Sequence, residues 1–156
     1  MLLLGAAGEN LVLCDWMVGD RIDRTLSRIS RYIPQNQRDN SHVLELAERQ
    51  LDEYFSGERR EFDLPIKAYG TEFQKEVWAA LRTIGFGELK SYQEIAEAIG
   101  RPKATRAVAN AIGANPLSIV IPCHRVVRTG GTTGGYAGGV RAKLMLLDKE
   151  TPTGLL

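Results

Sequence analysis

Apolar residues recur along this chain in two rhythms. Over Leu2 to Ala6 and Leu11 to Trp16 they run almost without a break on either side of a Gly8-Glu9-Asn10 turn, which predicts a pair of strands. From residue 22 the spacing lengthens: Leu26, Ile29 and Ile33 fall on one helical face over 22–33, and Pro34 is the stop. Polar Gln35 to Asn40 reads as a loop and Ser41 as a cap. Beyond it Val43, Leu46, Ala47, Leu51 and Tyr54 form the stripe of a helix over 42–55 that Gly57 ends. The stretch from Glu58 to Gly70, with Pro65 and Gly70, predicts a linker.

A second unit is expected to begin at residue 71, dividing the chain into 1–70 and 71–156. Thr71-Glu72-Phe73-Gln74 has the spacing of a capping box, and Phe73, Val77, Leu81 and Ile84 line one face before Gly85 and Gly87 break the helix. Ser91-Tyr92-Gln93-Glu94 repeats the capping pattern and opens a short helix with Ile95, Ala96 and Ile99 inward. Gly100-Arg101-Pro102 turns the chain, and a third helix follows from Ala104 to Ile112. Two short helices joined by a tight turn make a helix-turn-helix, a pattern shared with hairpins that bind nothing.

Charge changes that balance. The net value of +1 hides 11 basic and 14 acidic residues over 1–85 against 8 and 3 over 86–143. Between Glu97 and Asp148 there is no acid at all, while Arg101, Lys103, Arg106, Arg125, Arg128, Arg141 and Lys143 fall there, the footprint of a phosphate-binding face. The third helix offers only Arg106 and Asn110 as long polar groups, too few to read several base edges, so DNA of any sequence is the expected partner. With 156 residues and 44% apolar content the chain can bury a core. The opening Met1 to Gly8 lacks the positive start of a secretory leader, no stretch is long enough to span a membrane, and Cys14 and Cys123 have no CxxC spacing; a reducing cytoplasm is expected.

The candidate chemistry lies in IVIPCHRVV, where Cys123 stands beside His124. A thiol becomes a nucleophile on losing its proton, which an imidazole can take. Taken singly, such a cysteine is more often a small core residue. Adjacent side chains rarely face each other in regular structure, so help from His124 implies an irregular turn, which Pro122 favours, or a bridging water. The Gly130 to Gly139 run after it, interrupted by Thr132-Thr133 and Tyr136-Ala137, can approach a substrate closely or be a plain hairpin turn.

FQKEVWAALRTIGFGELKSYQEIAEAIGRPKATRAVANAIGANPLSIVIPCHRVV, followed by GGYAGGVRAKLMLLDKE, closely resembles the O6-alkylguanine-DNA alkyltransferases, also called methylated-DNA-protein-cysteine methyltransferases. The likeness covers roughly residues 71 to 150, about half the chain, and PCHRV after NP is its most specific part. It implies an α/β N-terminal domain of ribonuclease-H-like shape and a mostly helical, winged-helix-like C-terminal domain. It further implies that DNA is held through its minor groove and the damaged nucleotide is swung out of the stack. In that reading Cys123 takes the alkyl group irreversibly, assisted by His124 through a water, by Glu150 and by Asn115. Tyr92 helps turn out the nucleotide at its phosphate and protonates the guanine ring, and Arg106 fills the gap left in the stack. Backbone groups at Val126 and in Tyr136-Ala137-Gly138 recognise the base; Gln93, Arg101 and Thr129 touch the DNA backbone.

Several departures and absences complete the expectation. Ala137 stands where some relatives have Ser, and Asn110 where small residues are common. The chain starts without the initial strand usual in relatives, so an incomplete sheet or a start internal to a longer product is expected. Some relatives hold a structural zinc, but Cys14 and His42 are too few ligands for a closed site, so no metal is expected. No cofactor is expected either, the lesion being the alkyl donor. The expected partner is double-stranded DNA carrying O6-alkylguanine, with O4-alkylthymine as a further candidate, met by a monomer with no membrane attachment. The rivals are a non-repairing lesion sensor of the same fold, against which the retained thiol argues; a transcription regulator; and a cysteine hydrolase, for which His42 is the only other histidine.

Overall fold

The computed structural model describes residues 1–34, 41–130 and 133–151. The predicted loop from Gln35 to Asn40, the capping side chain of Ser41, and Gly131 and Thr132 of the glycine-rich run lie outside the described residues.

Strands β1 (Leu2–Ala7) and β2 (Asn10–Trp16) pair antiparallel around a turn in which Gly8 takes a φ of 61°, with one register shift at Gly5/Ala6. From Leu11 to Trp16 every residue of β2 is buried, because both of its edges are used. Opposite β1, Leu11 N donates to Pro65 O at 2.8 Å and Lys67 N to Leu11 O at 3.0 Å. Further along, Cys14 N donates to Pro116 O at 2.9 Å and Ser118 N to Cys14 O at 2.7 Å. The stretch predicted as a linker is therefore tied to the sheet, and Gln50 holds it further by exchanging two 2.9 Å bonds with the Asp63 backbone. Through Pro116 and Ser118 the same strand reaches the segment that leads to Cys123.

Helix α1 (Arg21–Ile29) is shorter than predicted and turned differently. Its buried residues are Thr25 and Ile29, while Leu26 is exposed. The reason is polar: the buried Asp15 carboxylate accepts from the Thr25 hydroxyl at 2.9 Å and from Arg21 Nε at 2.9 Å, which fixes the face that α1 presents. Helix α2 (Ser41–Phe55) packs on the sheet with Val43, Ala47, Leu51 and Tyr54 inward. Helix α3 (Glu72–Leu81) opens with the predicted Thr71/Gln74 capping box, and Trp78 Nε1 donates to Ala111 O at 2.8 Å.

A two-residue strand β3 (Lys90–Ser91) leads into α4 (Tyr92–Ala98), whose Ser91/Glu94 capping box is also complete, and α5 (Thr105–Gly113) follows across a turn at Gly100 with φ 75°. Strand β4 (Val126–Val127) pairs parallel with β3, a contact too short to leave a period in the sequence. Helix α6 (Val140–Glu150) gave no helical stripe because its inner face mixes Leu146 and Leu147 with the fully buried Lys143 and Glu150, while Val140, Leu144 and Met145 are exposed. One hydrophobic cluster runs through both halves, from Leu11, Cys14 and Tyr54 to Val77, Val108, Leu117, Cys123 and Leu146. The architecture is an α/β N-terminal part joined through this core to a helical part. Among the described residues, no helix is long and apolar enough to cross a membrane.

Candidate active site around Cys123

Between α5 and β4 the backbone is knotted rather than extended. Ile119 has a φ of 72°, unusual for a β-branched residue, and Val120 N donates back to Ser118 O at 2.9 Å across it. Such a conformation costs about 1–3 kcal/mol and persists where surroundings over-determine it; here the Ile119 side chain is buried in the core. Pro122 follows with φ −79° and ψ 64°, the inverse γ-turn, with Cys123 N bonded to Ile121 O at 2.8 Å. This is the irregular turn that Pro122 was expected to favour. Asn115, fully buried, braces it: its Oδ1 accepts from Leu117 N at 2.9 Å and its Nδ2 donates to Ile121 O at 3.0 Å. Arg21 in turn donates to Gly113 O at 2.9 Å and Asn115 O at 3.2 Å, satisfying carbonyls at the end of α5.

Cys123 opens a single 3₁₀ turn, Cys123–Arg125, and is 4% exposed. Burial pushes its thiol up, opposed by a hydrogen bond from Asn115 and by the positive charges of Arg21 and Lys143. At Cys14 burial and the Asp15 charge act together and push the thiol up to about 12. Of the two thiols, only Cys123 has groups around it that favour a thiolate.

Glu150 sits behind the turn, 2% exposed, and accepts from Arg125 Nε at 2.8 Å, Arg125 Nη2 at 3.1 Å and the Tyr54 hydroxyl at 2.6 Å. Its Oε2 also lies 2.7 Å from His124 Nε2. Burial opposes its charge, but these bonds hold its carboxyl down at about 2, so it is a carboxylate that can only accept. The proton of His124 must then be on Nε2. Burial holds the imidazole below its ordinary pKa, hence neutral, and leaves the Nδ1 lone pair without a protein partner among the described residues.

Arg125 and Lys143, counted from the sequence with a basic surface, are internal. Arg125 pairs with Glu150 and donates to Ile84 O at 2.6 Å. Lys143 is fully buried, and its ammonium donates to Val126 O at 2.6 Å, to Gly135 O at 3.2 Å and to Thr133 O, pinning the glycine-rich run to β4; burial lowers its pKa to about 8. Its described residues, 133–139, are thus an anchored wall rather than a free hairpin. A side chain at Gly134 would lie 3.0 Å from the Tyr92 hydroxyl, so the wall closes directly on Tyr92.

A cleft of about 910 Å³ opens over Cys123, lined by Tyr92, Thr105, Arg106, Ala109, Arg128, Thr129, Tyr136 and Ala137 among others. Arg106 is exposed and makes no hydrogen bond or ion pair among the described residues. Gln93 also borders the cleft, but its amide donates to Pro102 O at 2.9 Å and accepts from the Thr105 hydroxyl at 2.6 Å, bracing the helix-turn-helix. Arg101 lies away from the cleft, paired with Glu76 at 3.2 Å and stacked over Phe73. Asn115, His124, Val126, Gly138 and Glu150 stand behind the walls. Sequence reasoning missed Arg21 and Arg24, which bring charge to the rim from α1, and Tyr54, whose role depends on a contact across 96 positions. Among the described residues, no group of three or more His, Cys, Asp or Glu is arranged to hold a metal ion.

Comparison with known proteins fits this geometry. Residues 72–152 match the 6-O-methylguanine DNA methyltransferase DNA-binding domain, and residues 6–68 the ribonuclease-like domain of the same family. A methylated-DNA-protein-cysteine methyltransferase of Mycolicibacterium paratuberculosis is 50% identical over 148 residues, covering 95% of this chain and 86% of that protein. One from Methanosarcina acetivorans is 47% identical over 118 residues, 76% of each chain. The crystal structure of Mycobacterium tuberculosis OGT in complex with DNA superposes with a TM-score of 0.79 at 38% identity, over 99% of this chain and 90% of that one. With both of its parts matched and its thiol held in the PCHRV turn at the floor of the cleft, the chain belongs to the 6-O-methylguanine DNA methyltransferase family.

Proposed function

We propose that this protein repairs alkylated DNA directly, moving the alkyl group of O6-alkylguanine irreversibly to Cys123 after the nucleotide is flipped out of the duplex. The observation that carries this reading is the buried Cys123 thiol at the floor of a cleft whose rim is the helix-turn-helix. A guanine oxygen inside a duplex is out of reach of such a thiol, so the base must come to it. Residues 71–156 act as the DNA-binding and acceptor unit and residues 1–70 as the α/β unit that supports it.

The neutral His124 takes the thiol proton at Nδ1, through a water, while Glu150 fixes the tautomer. The Cys123 sulfur attacks the alkyl carbon, an S–C bond forms, the C–O6 bond breaks, and its electron pair goes to the purine. Tyr92, kept protonated by burial and by the nearby Cys123 charge, donates a proton to the departing ring. Guanine leaves unmodified, and the thioether has no hydrolytic exit, so each molecule acts once. Asn115 braces the turn and bonds near the sulfur. Backbone groups at Val126, Tyr136, Ala137 and Gly138 hold the base, and Arg106 fills its place in the stack. Gln93, Arg101 and Thr129 contact the DNA backbone. The protein works as a cytoplasmic monomer.

The test is to mix the protein with duplex DNA carrying O6-methylguanine, or with an undamaged control, and take intact and peptide masses. One methyl increment on the Cys123 peptide is expected with the lesion alone. Clearance of the lesion by Cys123→Ala would sink the reading, and binding without any mass change would favour the non-repairing sensor.

A further inference from the structure

Tyr136 forms a wall of the cleft, yet what holds it there comes from the other half of the chain. Trp16, the last residue of β2, is 8% exposed and donates its indole N–H to the Tyr136 hydroxyl at 2.9 Å. The two rings meet edge to face, with centroids 5.9 Å apart and planes at 75°. His124 also meets the same tyrosine ring, with centroids 6.5 Å apart. The indole supports the wall at a second point: a β-carbon at Gly138 would fall 2.6 to 2.8 Å from three Trp16 ring atoms, so the backbone of that turn lies directly on the ring. Trp16 is itself fixed, its backbone N–H bonded to the buried Asp15 carboxylate at 2.9 Å.

We propose that Trp16 is a positioning residue for the lesion pocket, holding Tyr136 and the Gly138 backbone in the register that receives the flipped base. Trp16 is outside the cleft lining, so it acts through its neighbours. An indole N–H can only donate, so it occupies a lone pair of the phenol oxygen and leaves the Tyr136 O–H directed elsewhere. Burial and the nearby Cys123 charge keep that phenol protonated, and therefore a donor. Displacing such a wall by a fraction of an ångström costs reactivity because the reacting atoms are no longer aligned. This inference rests on the reading of Cys123 as the alkyl acceptor.

The experiment compares Trp16→Phe, Tyr136→Phe and the double variant in reaction with free O6-benzylguanine, scored by mass on the Cys123 peptide, with affinity for undamaged duplex measured beside it. Each single change is expected to slow transfer about 3- to 10-fold, the worth of one hydrogen bond, with duplex affinity within about twofold of wild type. The double variant should be no slower than the slower single one, since both remove the same contact. A native rate in Trp16→Phe, or losses that multiply in the double variant, overturns the proposal. Should Trp16→Phe fail to fold, Gly138→Ala tests the contact from the loop side: a loss of about tenfold or more is expected, and a native rate overturns it. Absence of alkyl on Cys123 in the wild-type protein would instead overturn the functional reading, a distinct result.

Discussion

At Glu150, one buried carboxylate accepts from Arg125, Tyr54 and His124 at once, and the pH behaviour of the protein follows. Its pKa is about 2 in the fold against 4.5 when free, so its stabilisation is complete above about pH 4.5 and is lost as pH falls toward 2. His124, lowered by burial from 6.5, acts in the same direction: below pH 6.5 the unfolded chain takes up a proton that the folded imidazole resists. Urea unfolding should show stability declining from about pH 6.5 downward, and Glu150→Gln should flatten the part below about 4.5. The same variant no longer dictates the His124 tautomer and is expected to slow alkyl transfer about 100-fold. Arg125→Met leaves a buried carboxylate without its cation and should cost about 3–5 kcal/mol in the same assay. Cys123, His124 and Glu150 were legible from resemblance. Arg125 was visible only as a charge, because nothing in a sequence distinguishes an arginine that faces water from one that faces a buried acid.

Elements were legible where their determinants are local. The capping boxes at Thr71 and Ser91 use residues three apart, and both form as predicted. Ser91→Ala should cost about 1 kcal/mol, read as a lower melting temperature, and should also slow transfer from duplex DNA, because Tyr92 is the first residue of α4. Elements were misread or left unread where a distant partner decides. Helix α1 turns Thr25 inward and leaves Leu26 exposed, since Asp15 on β2 needs the hydroxyl. Helix α6 buries Lys143 because one β4 carbonyl and two loop carbonyls surround its ammonium, and a stripe count scores that position as solvent. The β3–β4 ladder is two residues long and has no periodicity of its own. Likewise the turn from Ile119 to Cys123 announced itself only at Pro122; the positive φ at Ile119 reflects packing, not side-chain preference.

Across the whole molecule four arginines meet the thiol at one cleft: Arg21 and Arg24 from α1, Arg106 from α5 and Arg128 from the segment after β4. Affinity for undamaged duplex should therefore fall with rising salt, and Arg106→Ala should reduce the steepness of a log–log plot by about one ion. Arg106→Ala should also slow repair in duplex DNA far more than reaction with free O6-benzylguanine; equal losses would remove it from base flipping. The sequence by itself determined the helix-turn-helix, the strand pair and the uneven charge, and it singled out Cys123 and His124 as candidates, because each rests on neighbours within a few positions or on a short, specific motif. Only the tertiary structure decided that β2 holds both halves together, that Arg125 and Lys143 are internal, and that Glu150 dictates the proton on His124. Those are contacts between residues far apart in the chain, made where burial removes water and leaves each polar group to find a protein partner.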